Sequence, residues 1–191
     1  TGEEIIIGTT RPELICTCGM VIFNPEDKRY KKLEGKTAIS PIFENEIPIK
    51  AHPLAQIDKG TGLVMMCSAG DLSDIQFFRE MNLEPKIAIN IDGKMNEHAG
   101  VLEGLKVREA RDKIIELLKE KDLLVKQEKI VHWTPVSERS GVDVEFIEMP
   151  EFYLKQLEIK EEIRKISKNI DFYPEFSRKI LEDWIDTVSI D

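Results

Sequence analysis

Gly60-Thr61-Gly62-Leu63-Val64-Met65-Met66-Cys67-Ser68-Ala69-Gly70-Asp71-Leu72-Ser73-Asp74 reads, in order, as a turn, a short apolar strand, a small-residue loop and the mouth of a helix. Ile75, Phe78 and Met81 then recur at helical spacing. Asp71 suits the N-cap and Asp74 the first turn, where exposed amides favour negative charge. The same carboxylates hold spare lone pairs for a ligand ammonium group or hydroxyl, and the residues leave both readings open. Gly60 and Gly62 mark a bulge or tight turn, or let backbone approach a ligand. They are not a dinucleotide fingerprint, because Met65 stands where its third glycine would fall.

Upstream, Thr9-Thr10-Arg11-Pro12-Glu13 follows the apolar run Ile5-Ile6-Ile7. Residues 3–8 and 14–23 read as strands with this turn between them, since Pro12 forbids a continuous ladder. Thr9 and Thr10 supply hydroxyls and Arg11 a fork able to grip phosphate, although a solvated turn is the plainer reading. Short apolar stretches recur near 36–43, 46–50, 63–67 and 86–91, punctuated by Pro41, Pro48, Pro53 and Pro85. Such spacing suggests a barrel or a compact mixed sheet.

Residues 106–121 carry the clearest helical pattern, with Val107, Ala110, Ile114, Leu117 and Leu118 on one face. Residues 123–131 alternate like a strand. Composition changes near Pro150: a charged amphipathic helix is expected over 153–168, a break at Phe172-Tyr173-Pro174, and a last helix with Phe176, Ile180 and Trp184 on one stripe. The expected organisation is a domain over 1–150 and a helical connector over 151–191. Asp92-Gly93-Lys94-Met95-Asn96-Glu97 is first of all a polar turn.

The 191 residues are 41% hydrophobic and 33% charged, which fits a globular chain and not a disordered one. No apolar stretch reaches the ~18 residues of a membrane span. A net charge of −9 argues against broad electrostatic attraction to nucleic acid. It leaves room for a pocket that receives only the end of an RNA held elsewhere. Cys16, Cys18 and Cys67 are an odd count without paired spacing, so neither a disulfide framework nor a zinc site is expected, and cytoplasmic localisation is the default. Cys16 and Cys18 read as small core residues. His52, His98 and His132 share no metal spacing, and no G-x-S-x-G elbow marks a nucleophile. A start at Thr1, without methionine, is expected of a fragment of a longer polypeptide.

Taken in order, T-T-R-P-E, G-T-G, an apolar strand, D-x-x-D and D-G-K-M-N-E resemble the editing (connective-peptide) domain of class I aminoacyl-tRNA synthetases of the valine, isoleucine and leucine group. The resemblance continues through His132-Trp133-Thr134-Pro135 and Phe172-Tyr173-Pro174 to Asp183-Trp184-Ile185, and so covers the whole chain. Gly70-Asp71-Leu72-Ser73-Asp74 with Met65-Met66-Cys67 is most similar to the valine enzymes in their archaeal form.

The resemblance implies a β-rich, mixed α and β fold: a β-barrel-like editing domain with peripheral helices and a C-terminal helical connector returning to a catalytic core. It implies hydrolysis of threonine from valine tRNA, with the tRNA 3′ end and the rest of the synthetase chain as partners. In that reading Asp71 binds the ammonium group of the misplaced amino acid and Asp74 recognises the threonine hydroxyl. Thr9, Thr10 and Arg11 orient the terminal adenosine and its phosphate, and Gly60, Thr61 and Gly62 bring backbone to the ester. Met65 and Cys67 stand in the pocket wall where bacterial members carry lysine and threonine, and Asp92 joins the substrate-binding set. Lys59 replaces an aromatic residue before G-T-G, and Thr134 and Ser137 stand where some relatives carry zinc-binding cysteines. No cofactor is expected in this chain. H-I-G-H and K-M-S-K-S are absent, so ATP and Mg2+ belong to the parent synthetase. Isoleucine- or leucine-type editing, and a non-catalytic module that positions tRNA, are the competing expectations.

Overall fold

The computed structural model describes residues 2–131 and 133–189, so His132 lies outside the described residues. The chain divides into two compact units, Thr1–Glu148 and Met149–Asp191.

Alternation along β1 (Cys18–Phe23) sets the layers of the first unit. Successive side chains of a strand point to opposite faces. Met20 and Ile22 therefore pack with Met66, Phe77 and Phe78, while Val21 and Phe23 pack with Ile47, Ile49, Leu63 and the apolar stripe of a helix. That stripe is Ala110, Ile114 and Leu118 of α2 (Val107–Glu120). Phe77 and Phe78 belong to α1 (Leu72–Glu80). One helix thus covers each face of the sheet, and two clusters replace a single interior.

Three further strands complete the sheet: β2 (Thr37–Ile39), β3 (Glu46–Ala51) and β4 (Leu63–Cys67). The order is β2-β3-β1-β4. β1 runs parallel to β3 and antiparallel to β4, with Cys18 opposite Cys67 and Phe23 opposite Leu63. The register shifts at Gly19, where a Cβ would come within 2.6 Å of the Phe78 ring. Glycine there lets α1 close down on the sheet.

This open sheet corrects the expected β-barrel. Closure needs the two edge strands to pair and an interior for side chains to fill. Here the edges are β2, only three residues long, and β4, and both faces are already occupied by helices. The strands that closure would require do not form. Residues 3–8 and 123–131 contain no strand, and 86–91 keeps a single bridge between Ile89 and Met95. The expected strand 14–23 splits: Pro12–Thr17 forms a 3-10 turn and pairing starts at Cys18. Proline suits the first position of a helical turn, where its missing N–H costs nothing. Helices of nine to fourteen residues outweigh strands of three to six, so the fold is mixed α and β and not β-rich.

The second unit pairs α3 (Gln156–Ser167) with α4 (Ser177–Thr187). Lys160 Nζ donates to the Val188 carbonyl at 2.6 Å, and Arg164 pairs with Asp186. Arg178 donates to the carbonyls of Ser167 and Ile170 and lies 4.8 Å from the Phe172 ring centroid. No helix among the described residues is long and apolar enough to cross a membrane.

Candidate functional site at the β4–α1 junction

The first turn of a helix leaves amide groups without intrahelical partners. Asp71 caps α1 in extended geometry, and its Oδ1 accepts the Asp74 amide at 2.9 Å and the Ser73 hydroxyl at 2.6 Å. Asp71 is exposed and Asp74 half-buried. Burial, reinforced by the neighbouring Asp71 charge, pushes the Asp74 carboxyl up to about 7. The amides of Cys67, Asp71 and Gly70 pull the other way and are outweighed. A carboxyl with this balance can donate or accept a hydrogen bond near neutral pH.

Gly70 is required by this arrangement. A Cβ there would fall 2.3 Å from Asp74 Oδ2, so the carboxylate lies directly over the glycine. The Gly70 carbonyl accepts Arg11 Nη1 at 3.3 Å, which brings the Thr9-Thr10-Arg11 bend beside the D-x-x-D loop. Thr9 Oγ1 accepts the Arg11 amide at 3.0 Å, and both threonines are exposed. The G-T-G turn lies beside the same chain segment, since a Cβ on Gly8 would come 4.0 Å from the Gly60 Cα. Gly60 and Gly62 both take positive φ, 58° and 85°. A side chain at Gly62 would also strike Arg29 and Asp27. Tyr30 Oη donates to the Thr61 carbonyl at 2.7 Å.

Arg11 is more committed than a phosphate grip requires. Nε donates to Glu13 Oε1 at 3.0 Å, Nη2 to Glu145 Oε2 at 2.6 Å, and Nη1 to Gly70. Burial works against its charge, but Glu145 and Glu13 outweigh that and hold its pKa above the usual value. Glu13 is fully buried and also accepts Arg111 Nε at 3.0 Å and Nη2 at 2.8 Å. The sequence reading missed Glu13, Arg111 and Glu145. A glutamate after Pro12 looks like any first-turn acid, and its partner lies far along the chain.

The remaining candidates are placed less centrally. Cys67 is buried opposite Cys18; hydrogen bonding to Cys18 and burial raise its thiol well above the ordinary value, with Asp74 adding to the rise. Met65 is half-buried on the α2 side of the sheet. Asp92 is exposed in its own turn, where Oδ1 accepts the Lys94 amide at 3.2 Å. A cavity of about 330 Å3 is lined by Thr17, Cys18, Gly19, Ser68, Phe78 and Lys86 among others, and by neither Asp71 nor Asp74. Among the described residues, no three His, Cys, Asp or Glu side chains gather as a metal ion needs.

No protein-family model matches the chain. It is 45% identical over 190 residues to the valine–tRNA ligase of Aeropyrum pernix, covering all of the chain and 23% of that protein. It is 48% identical over 189 residues to that of Nanoarchaeum equitans, covering 99% of the chain and 25% of the protein. For Rickettsia conorii the identity is 42% over 191 residues, with 24% of the protein covered. The chain spans about a quarter of the length of the curated relatives it matches. Matched from end to end by these proteins, the chain belongs to the valine–tRNA ligase family, as its editing, or connective-peptide, domain.

Proposed function

We propose that this domain hydrolyses threonine esterified to valine tRNA. The observation that carries this reading is the Arg11–Gly70 contact, which sets a threonine-rich bend beside two carboxylates at a helix mouth. Asp71 is the proposed anchor for the substrate ammonium group and Asp74 the acceptor for the threonine hydroxyl. Valine matches threonine in shape, and an apolar pocket rejects the added hydroxyl poorly; valine enzymes are themselves the standard illustration of that limit, about 10²-fold. A second site inverts the test. Valine leaves the half-buried acceptor without that partner, a cost of roughly 1–3 kcal/mol where a polar group is fully buried and less here.

The chemistry proposed is positioning. A water oxygen attacks the ester carbonyl carbon, the bond to the ribose oxygen breaks, and the water's proton passes to that oxygen. Backbone amides of Gly60–Gly62 are the proposed oxyanion donors, and Thr9 and Thr10 the groups that orient the terminal adenosine. A neighbouring ribose hydroxyl is the proposed proton carrier. Arg11 remains the proposed contact for the adenosine phosphate: three of its N–H groups serve Glu13, Gly70 and Glu145, and a guanidinium carries five. Met65, Cys67 and Asp92 remain proposed wall residues.

Residues 1–150 would form the editing domain and 151–191 the connector to the synthetic core, with tRNA and that core as partners in the cytoplasm. The net charge of −9 leaves most of the tRNA affinity to the parent protein. A second reading, a module that only positions tRNA, draws support from the cavity that bypasses Asp71 and Asp74.

The test is release of threonine from threonyl-tRNA(Val) by a full-length ligase carrying this domain. Asp71→Ala should slow release at least tenfold, and Asp74→Ala should narrow the preference for threonyl over valyl ester before abolishing hydrolysis. Native rates and selectivity in both variants favour the positioning module.

A further inference from the structure

Glu13 is a fully buried carboxylate to which the proposed hydrolysis assigns no part. Taking an ion pair out of water is costly, and removing one partner leaves the other as an uncompensated charge. Its two oxygens accept three hydrogen bonds, one from Arg11 and two from Arg111. Arg111 belongs to α2, which is fastened to the sheet through Ala110 and Ile114. Arg11 reaches the Gly70 carbonyl, and Asp74 Oδ2 lies over Gly70 so closely that no Cβ fits between them. A helix packed on the sheet, a buried carboxylate, a guanidinium, a carbonyl and the candidate carboxylate therefore form one continuous chain of contacts.

We propose that Glu13 is a positioning residue for the Asp71–Asp74 loop: it holds Arg11 against the Gly70 carbonyl and references that contact to α2 through Arg111. The proposal rests on the editing reading for its catalytic consequence, but not for its structural one. Glu145, which accepts the remaining Arg11 nitrogen, braces the guanidinium from the other side. Losing Glu13 frees Arg11 to turn toward Glu145, and Gly70 loses its tether. The loop then relaxes outward and Asp74 hydrates.

Two variants and two readouts test this. Glu13→Gln removes the charge while keeping the shape. Arg11→Lys keeps a charge near Glu13 but cannot reach Glu13, Gly70 and Glu145 together. In the full-length ligase, kcat for threonyl-tRNA(Val) release should fall on the order of 10- to 100-fold with KM nearly unchanged, the signature of misplacement. In the chain itself, the Asp74 carboxyl, faced by Asp71, Cys67 and the loop amides, should titrate at lower pH than in the unsubstituted chain when followed by carbon NMR. A structural brace alone would lower the unfolding temperature without moving that midpoint. An unchanged midpoint in a folded variant overturns the proposal. Should Glu13→Gln not fold, Arg11→Lys decides; loss of folding in both makes the network a fold determinant only and also overturns it. If the midpoint moves while no protein releases threonine, the positioning role stands and the editing reading falls.

Discussion

Asp74 is half-buried beside another carboxylate, and its titration near 7 gives the protein a measurable pH dependence. An aspartate in the unfolded chain titrates near 3.8. Between that value and about 7 the folded chain holds a proton that the unfolded chain has lost. Stability therefore falls as pH rises through this window, by linkage. Asp74→Asn cannot ionise and should be more stable than the unsubstituted chain at pH 8. The gain, at about 1.4 kcal/mol per pH unit and discounted for partial contact with solvent, is on the order of 2 kcal/mol. It should vanish by pH 4. Denaturant unfolding at the two pH values checks it, and a gain larger at pH 4 would mean that Asp74 is not held protonated. The carboxylates were legible because the helix-start rule fixes where they sit. The burial of Glu13 was not, since its partner Arg111 is 98 residues away on another element.

At the scale of elements, local signals did best where a single helix or strand carried them. The α2 stripe buries Ala110, Ile114 and Leu118 as its spacing implies, and β4 spans the apolar run 63–67. Strand signals without a partner failed. Ile5 and Ile7 lean half-buried on the main core while Ile6 is 52% exposed, and among the described residues no strand pairs with 3–8. β-propensity expresses packing against neighbours and not a backbone preference of its own, so residues 3–8 and 123–131 looked like strands in isolation. The junction between β4 and α1 yields a sharper test. Gly70→Ala puts a methyl group 2.3 Å from Asp74 Oδ2 and 3.7 Å from Leu14 Cδ1. The carboxylate must swing away, while the substitution also restricts the unfolded chain, a gain of roughly 0.4–1 kcal/mol. Thermal stability should change little, yet under the proposed editing function the full-length ligase should lose its selectivity between threonyl and valyl esters. A Gly70→Ala protein with native selectivity would separate the Asp74 position from specificity.

For the whole molecule, the barrel expectation failed for a reason that composition conceals. Closely spaced apolar runs specify how many segments seek burial, not whether a helix or another strand will cover them. Here α1 and α2 cover the two faces. Both apolar clusters draw their residues from the first unit, none beyond Ile147. In the second unit, among the described residues, Ile185 is the one buried apolar side chain, and Tyr173, Phe176, Ile180 and Trp184 are exposed. Ion pairs such as Arg164–Asp186 lie at its surface and contribute little. A polypeptide of residues 1–148 should therefore unfold cooperatively and keep its Asp74 titration. A polypeptide of residues 149–191 has too little buried surface to offset its chain entropy and should be largely unstructured in water. Circular dichroism and thermal melts of the two pieces measure this directly. A cooperative melt from 149–191 would mean that α3 and α4 stabilise each other far beyond what their buried surface supplies.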